Sequence, residues 1–227
     1  MDICWRKQQS LKDHMKQNSF SANLGVLKII ELITSRFVGE EKTLPMVDSI
    51  KYICREFGST WLSYLKQWTQ GLKDAFGPGE ATTKPNWNEG QVNELKCQVE
   101  CVETLVLIFH DLISVDWIEF FDEYQKEWMP ILQYLLTVDD KYKLFGNPVI
   151  HLLFFFLLCK FKESASPLEG LRTNVVKTLH VLVTNYDEEI QYQVAAYVEF
   201  VAKMVARLND SERYDTLVAE SIQFLTA

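Results

Sequence analysis

The 227-residue chain carries a formal net charge of −8, with 48% hydrophobic and 24% charged residues. This composition supports a buried core and excludes a disordered chain, while the acidic balance disfavours nucleic acid, whose phosphates reward a basic surface that releases their counterions. Nine glycines and six prolines leave room for long helices and argue against an all-β fold built on many tight turns.

In chain order, the first predicted helix carries Leu24, Leu27, Ile30, Ile33 and Phe37 at helical spacing. The second, from about Leu44 to Phe76, carries Ile50, Ile53, Phe57, Trp61, Tyr64 and Trp68, with a bend expected at Gly58 and Ser59. These two are expected to pair as a hairpin over 21–76. Residues 77–90 are rich in turn formers and read as an exposed loop. A third helix starts near Gln91 and presents Leu95, Val99, Val102, Leu105, Val106, Phe109 and Leu112 on one broad face. Its partner, completing a pair over 91–137, starts near Asp116, where Glu119 three residues on gives an acidic, capping-box-like opening. Pro130 falls inside that partner and is expected to kink it or divide it in two.

The run from Val149 to Cys159 is the most apolar stretch. It is too short to span a bilayer, which takes about 20 apolar residues, and it contains His151 and is closed by Lys160 and Lys162, so it reads as buried helix rather than a membrane insertion. The third pair, over 167–208, opens on Ser166-Pro167-Leu168-Glu169, an N-cap serine, a proline at the first helical position and a glutamate at the third. Asp187-Glu188-Glu189 starts its second helix, and a further pair begins near Ser211 and runs through Leu225. That last helix reaches Ala227 with no C-cap glycine, so the chain is expected to be a segment of a longer protein. The helix starts near 21, 91, 167 and 211 are unevenly spaced, but the last interval fits the roughly 40–47 residues of a HEAT or armadillo unit. The expected fold is therefore an all-α superhelix of antiparallel helix pairs, a HEAT/armadillo-like solenoid.

Residue types that carry chemistry do not assemble into a site. Cys97 and Cys101 lie one helical turn apart with no second ligand pair, His14, His110, His151 and His180 are isolated, and Gly77-Pro78-Gly79 lacks phosphate-loop spacing. No catalytic, cofactor-binding or metal-ligating residue is assigned, and the chain is not expected to be an enzyme. Five scattered cysteines make no disulfide framework, and no apolar segment follows the charged first residues as in a secretory signal, so an intracellular protein is expected. Glu119, Asp122, Glu123 and Glu127 recur at helical spacing, as a partner-binding face or as a solvated one. Trp87 and Trp117 are either interface anchors or packing against a neighbouring helix.

Four blocks in one order resemble the CAS family of nuclear exportins. They are Asn23–Phe37 (N-L-G-V-L-K-I-I-E-L-I-T-S-R-F), Asp116–Asp140 (D-W-I-E-F-F-D-E-Y-Q-K-E-W-M-P-I-L-Q-Y-L-L-T-V-D-D), Asn185–Gln191 (N-Y-D-E-E-I-Q) and Tyr214–Leu225 (Y-D-T-L-V-A-E-S-I-Q-F-L). The first nine residues and about 141–163 have no counterpart in that pattern. The resemblance implies a HEAT-repeat segment of the importin-β superfamily, part of a monomeric export receptor that carries importin-α out of the nucleus with Ran-GTP and shuttles between nucleus and cytoplasm. Within the matched blocks, charge singles out Glu119, Asp122, Glu123, Asp187, Glu188 and Glu189 as partner-binding candidates, since acidic surfaces suit basic partners. The rival reading is a HEAT or armadillo scaffold of another kind, a phosphatase regulatory subunit or a vesicle-coat adaptor.

Overall fold

Helix starts in this chain are fixed by local hydrogen bonds that the sequence only partly announces. The computed structural model describes residues 19–38, 44–76, 87–114, 118–138, 167–207 and 215–226. The elements among these residues are all helices: α1 Phe20–Val38, α2 Leu44–Phe76, α3 Glu89–Ser114, α4 Ile118–Thr137, α5 Pro167–Asn185, α6 Asp187–Arg207 and α7 Asp215–Thr226. The apolar run at 149–159, Ser166 and Ser211 lie outside the described residues. None of the described helices is long and apolar enough to cross a membrane.

α1 starts at Ser19, whose Oγ accepts the Ala22 amide at 3.4 Å. α3 starts two residues before Gln91 because Asn88 and Gln91 cap each other. The Gln91 amide donates to Asn88 Oδ1 at 2.9 Å, and the Asn88 amide donates to Gln91 Oε1 at 3.0 Å. α5 opens on Pro167, where the missing N–H costs nothing because the first turn has no intrahelical acceptor for it.

Helix continues through both the expected bend at Gly58 and Ser59 in α2 and the kink or division expected at Pro130 in α4. Pro130 is exposed, as is Lys126 one turn before it, so the carbonyl that loses its intrahelical donor lies on the solvated side and can turn to water.

The helices form two layers. One holds α1, α3, α5 and α7, with α1 against α3, α3 against α5 and α5 against α7; the other holds α2, α4 and α6, each against the next. Between the layers α2 packs on α3, α4 on α5, and α6 on both α5 and α7. The broadest packing is between neighbours of the first layer, whereas in the second layer α2 packs more broadly on the consecutive α3 than on α4. Between α1 and α2, expected to pair as a hairpin, Phe20 sits edge-on to Trp68, ring centroids 5.6 Å apart.

Same-layer neighbours run parallel. On α1 and α3 the Phe20 amide donates to Glu94 and Thr34 donates to Asp111, so both chains advance together. On α2 and α4, Lys66 pairs with Glu127, and Lys73 Nζ lies 4.7 Å from the Tyr134 ring centre.

α3 sits in the middle and is covered nearly all round from Thr104 to Ile113. A helix covered on several sides cannot show a single apolar stripe. Its layer admits small polar residues where they satisfy themselves: Thr104, Thr173, Thr178 and Ser221 are buried, and each hydroxyl donates to the carbonyl four residues back at 2.7–2.9 Å. Between the layers Phe109 meets Trp128 with ring centroids 5.3 Å apart.

Candidate partner-binding interface

The six acidic candidates fall at two helix starts in one layer. Glu119, Asp122 and Glu123 are on the first turns of α4, and Asp187, Glu188 and Glu189 form the first turn of α6. Carboxylates are stabilised at a helix start by the amides left without intrahelical acceptors there. α4 and α6 pack side by side, so both acidic starts belong to adjacent helices. The side chains of all six lie outside the described residues. Glu127, the fourth member of the acidic set on α4, is exposed and paired with Lys66 of α2.

The other residues singled out from the sequence take structural places. Cys101 is fully buried and its thiol donates to the Phe20 carbonyl at 3.3 Å. Burial, with Cys97 and the acids Glu100 and Glu94 adding to it, pushes the Cys101 thiol up to about 12; burial and the same two acids raise Cys97 as well. Neither is an activated nucleophile. No group of three or more His, Cys, Asp or Glu among the described residues could hold a metal ion. His110 lies 3.3 Å from its neighbour Asp111, and Trp87 packs half-buried on the core, while His14, His151 and Trp117 lie outside the described residues.

Polar groups in the seams of the first layer escaped the sequence reading. Thr34 Oγ1 donates to the buried Asp111 Oδ2 at 2.9 Å and lies 3.0 Å from the Glu31 carbonyl. Burial, with the Asp111 charge behind it, raises the Glu31 carboxyl above its usual range, and Lys28 opposes this. In the next seam Asn174 Nδ2 donates to Glu103 Oε1 at 2.9 Å, and the Tyr186 hydroxyl donates to the Ile113 carbonyl at 3.0 Å. Each bond ties helices that are more than 70 residues apart in sequence. The available signal was an acid inside an apolar pattern, Glu103 between Val99, Val102 and Val106.

Among the described residues the arrangement offers extended helical surface and polar seams. The colinear blocks and the layered fold point the same way, and the deciding observation is that residues 33–227 match the sequence profile of Cse1. The chain belongs to the Cse1 family. Exportin-2 of Xenopus laevis is 24% identical over 216 residues, 95% of this chain and 19% of that protein. Exportin-2 of Homo sapiens is 28% identical over 127 residues, 55% of this chain and 12% of that protein. Among solved structures, the exportin Cse1 in its cargo-free, cytoplasmic state superposes with a TM-score of 0.76 at 18% identity, over 96% of this chain and 21% of that one. The fold is therefore that of the Cse1 helical-repeat solenoid, and the chain spans about a fifth of the length of the Xenopus laevis exportin-2 and of the solved Cse1 exportin.

Proposed function

We propose that this chain is a segment of a nuclear export receptor that carries importin-α out of the nucleus together with Ran-GTP, serving as a non-enzymatic binding scaffold and shuttling between nucleus and cytoplasm. The observation that carries the proposal is the match of residues 33–227 to the Cse1 family, which favours an exportin over a phosphatase subunit or coat adaptor built from similar repeats. Parallel same-layer helices support it physically. A stack whose units touch only their neighbours gives a long surface that can adapt its curvature to a large protein cargo.

The acidic starts of α4 and α6 are the proposed contact points, where a chain of net charge −8 meets a basic partner surface. The remaining four-fifths of the relatives' length would supply further repeats. On α1, Ile29 and Leu32 are 63% and 57% exposed, about half a helical turn round from Leu27, which faces α3, so an apolar side of the first-layer row stands uncovered.

The test is a pull-down with the full-length protein, purified importin-α and Ran loaded with GTP or GDP. Retention of importin-α with Ran-GTP and its loss with Ran-GDP is the expected result. Equal retention in both removes the export assignment. In the same full-length protein, changing Glu119, Asp122 and Glu123 together to lysine is expected to slow association several-fold at low salt, with the difference shrinking as salt is added. An unchanged association rate would take these residues out of the interface.

A further inference from the structure

Glu103 is half-buried in the seam between α3 and α5, with Oε1 accepting the Asn174 amide at 2.9 Å. One turn earlier on α5, Gly170 leaves the backbone bare against the same carboxyl: a Cβ there would come within 2.7 Å of Oε1. α5 thus closes onto a single carboxyl oxygen at two points. Gly170 permits the approach, and Asn174 orients the acid.

The charges around this carboxyl are unbalanced. On its own helix Glu100 adds like charge, α1 offers Lys28 as the opposing cation, and α5 offers only the neutral Asn174 amide. The cations of α5 are engaged elsewhere: Lys177 Nζ lies 3.5 Å from Glu220 on α7, and Arg172 donates to the Val138 carbonyl. Glu169, next to Gly170, is buried in the first turn of α5. Among the described residues, α2 and α4 bring no charged group that bears on Glu103. Burial first, then Glu100, push the carboxyl up to about 7, against the pull of Lys28 and the Asn174 hydrogen bond.

We propose that the Glu103 carboxyl is a proton-operated joint between α3 and α5, holding α5 close when protonated and loosening it when ionised. The protonated acid is neutral and still accepts from Asn174 through its carbonyl oxygen, so the closed seam confines no charge. The ionised acid is held beside Glu100 against bare backbone, and moving α5 outward to admit water relieves both the lost solvation and the repulsion. α7 packs on α5 and moves with it, so one proton alters the spacing of two repeats. The joint is a property of the seam and stands apart from the export proposal.

Native-state hydrogen exchange of the 227-residue chain between pH 5 and pH 8, corrected for the intrinsic pH dependence of exchange, tests it. In the wild type the opening equilibrium of α5 is expected to rise at least tenfold from pH 5 to pH 7 and to level off above that. Glu103→Gln keeps the shape and the Asn174 partner but cannot ionise, so its α5 should stay protected across the range. A flat wild-type profile, or the same rise in Glu103→Gln, overturns the proposal. Carbon-13 detection of the Glu103 carboxyl in the wild type gives a second readout independent of any variant: a midpoint near 7 is expected, and one near 4.5 overturns the proposal.

Discussion

Tyr186 is fully buried between α5 and α6, where its amide donates to the Leu182 carbonyl at 2.9 Å, its carbonyl accepts from the Ile190 amide at 3.1 Å and its hydroxyl reaches Ile113 on α3. One residue thus ends a helix, starts the next and ties both to a third. Replacing it with phenylalanine keeps the ring and removes the donor to a buried carbonyl. Urea denaturation is expected to show a loss of about 1–2 kcal/mol with an unchanged slope. Glu103 gives a prediction of the opposite sign. Its folded-state value of about 7 lies above the ordinary 4.5, so the folded chain keeps a proton that the unfolded chain releases in between. The stability this confers is full below about pH 4.5 and is lost as the pH rises to about 7. Glu103→Gln escapes the loss and is expected to be more stable than the wild type at pH 7.5 by about 1–3 kcal/mol, the advantage vanishing near pH 4.5. Thermal melts at the two pH values measure the difference. The sequence displayed this acid among Val99, Val102 and Val106, but its partner Asn174 lies 71 residues away, and no local pattern carries that pairing.

At the scale of elements, the period of the apolar residues made the helices legible, because each rod must bury a face. Pro167 and Glu169 marked the start of α5, since both residues suit a first turn. α3 starts two residues before Gln91 because Asn88 and Gln91 cap as a pair, and in sequence the second partner alone looks like the helix start. Asn88→Ala is expected to cost about 1 kcal/mol and to lower amide protection first in the N-terminal turn of α3. An equal loss of protection along the whole helix would mean that Asn88 does not act as a cap. Pro130 is expected to kink or divide α4, and no division occurs because the proline and the carbonyl it leaves without a donor face water, which sequence alone does not show. The exposure of Ile33, counted in the buried stripe of α1, has a similar cause: the stripe was drawn for one covered face, whereas the side of α1 away from α3 is open.

At the scale of the molecule, the all-helical repeat class follows from composition and period, and the family from colinear motifs that agree with the Cse1 match. Which helices touch was less legible. Consecutive helices pack across the layers, α2 on α3, α4 on α5 and α6 on both α5 and α7, while the broadest contacts join alternate helices in parallel rows, α1 to α3 to α5 to α7. Alternate helices share no turn, so local sequence holds no record of their register. Thr34 with Asp111 and Tyr186 with Ile113 fix it through buried hydrogen bonds, and Asn174 with Glu103 through a half-buried one. Rows of this kind let small changes at each seam accumulate along a stack of repeats, and in the proposed receptor that is how two partners would be coupled. Coupling between ligands is reciprocal. The most direct measurement is calorimetry on the full-length protein, titrating importin-α with and without Ran-GTP and Ran-GTP with and without importin-α. Each ligand is expected to tighten the other by the same factor, at least fivefold. Two independent affinities, each indifferent to the second ligand, would contradict it.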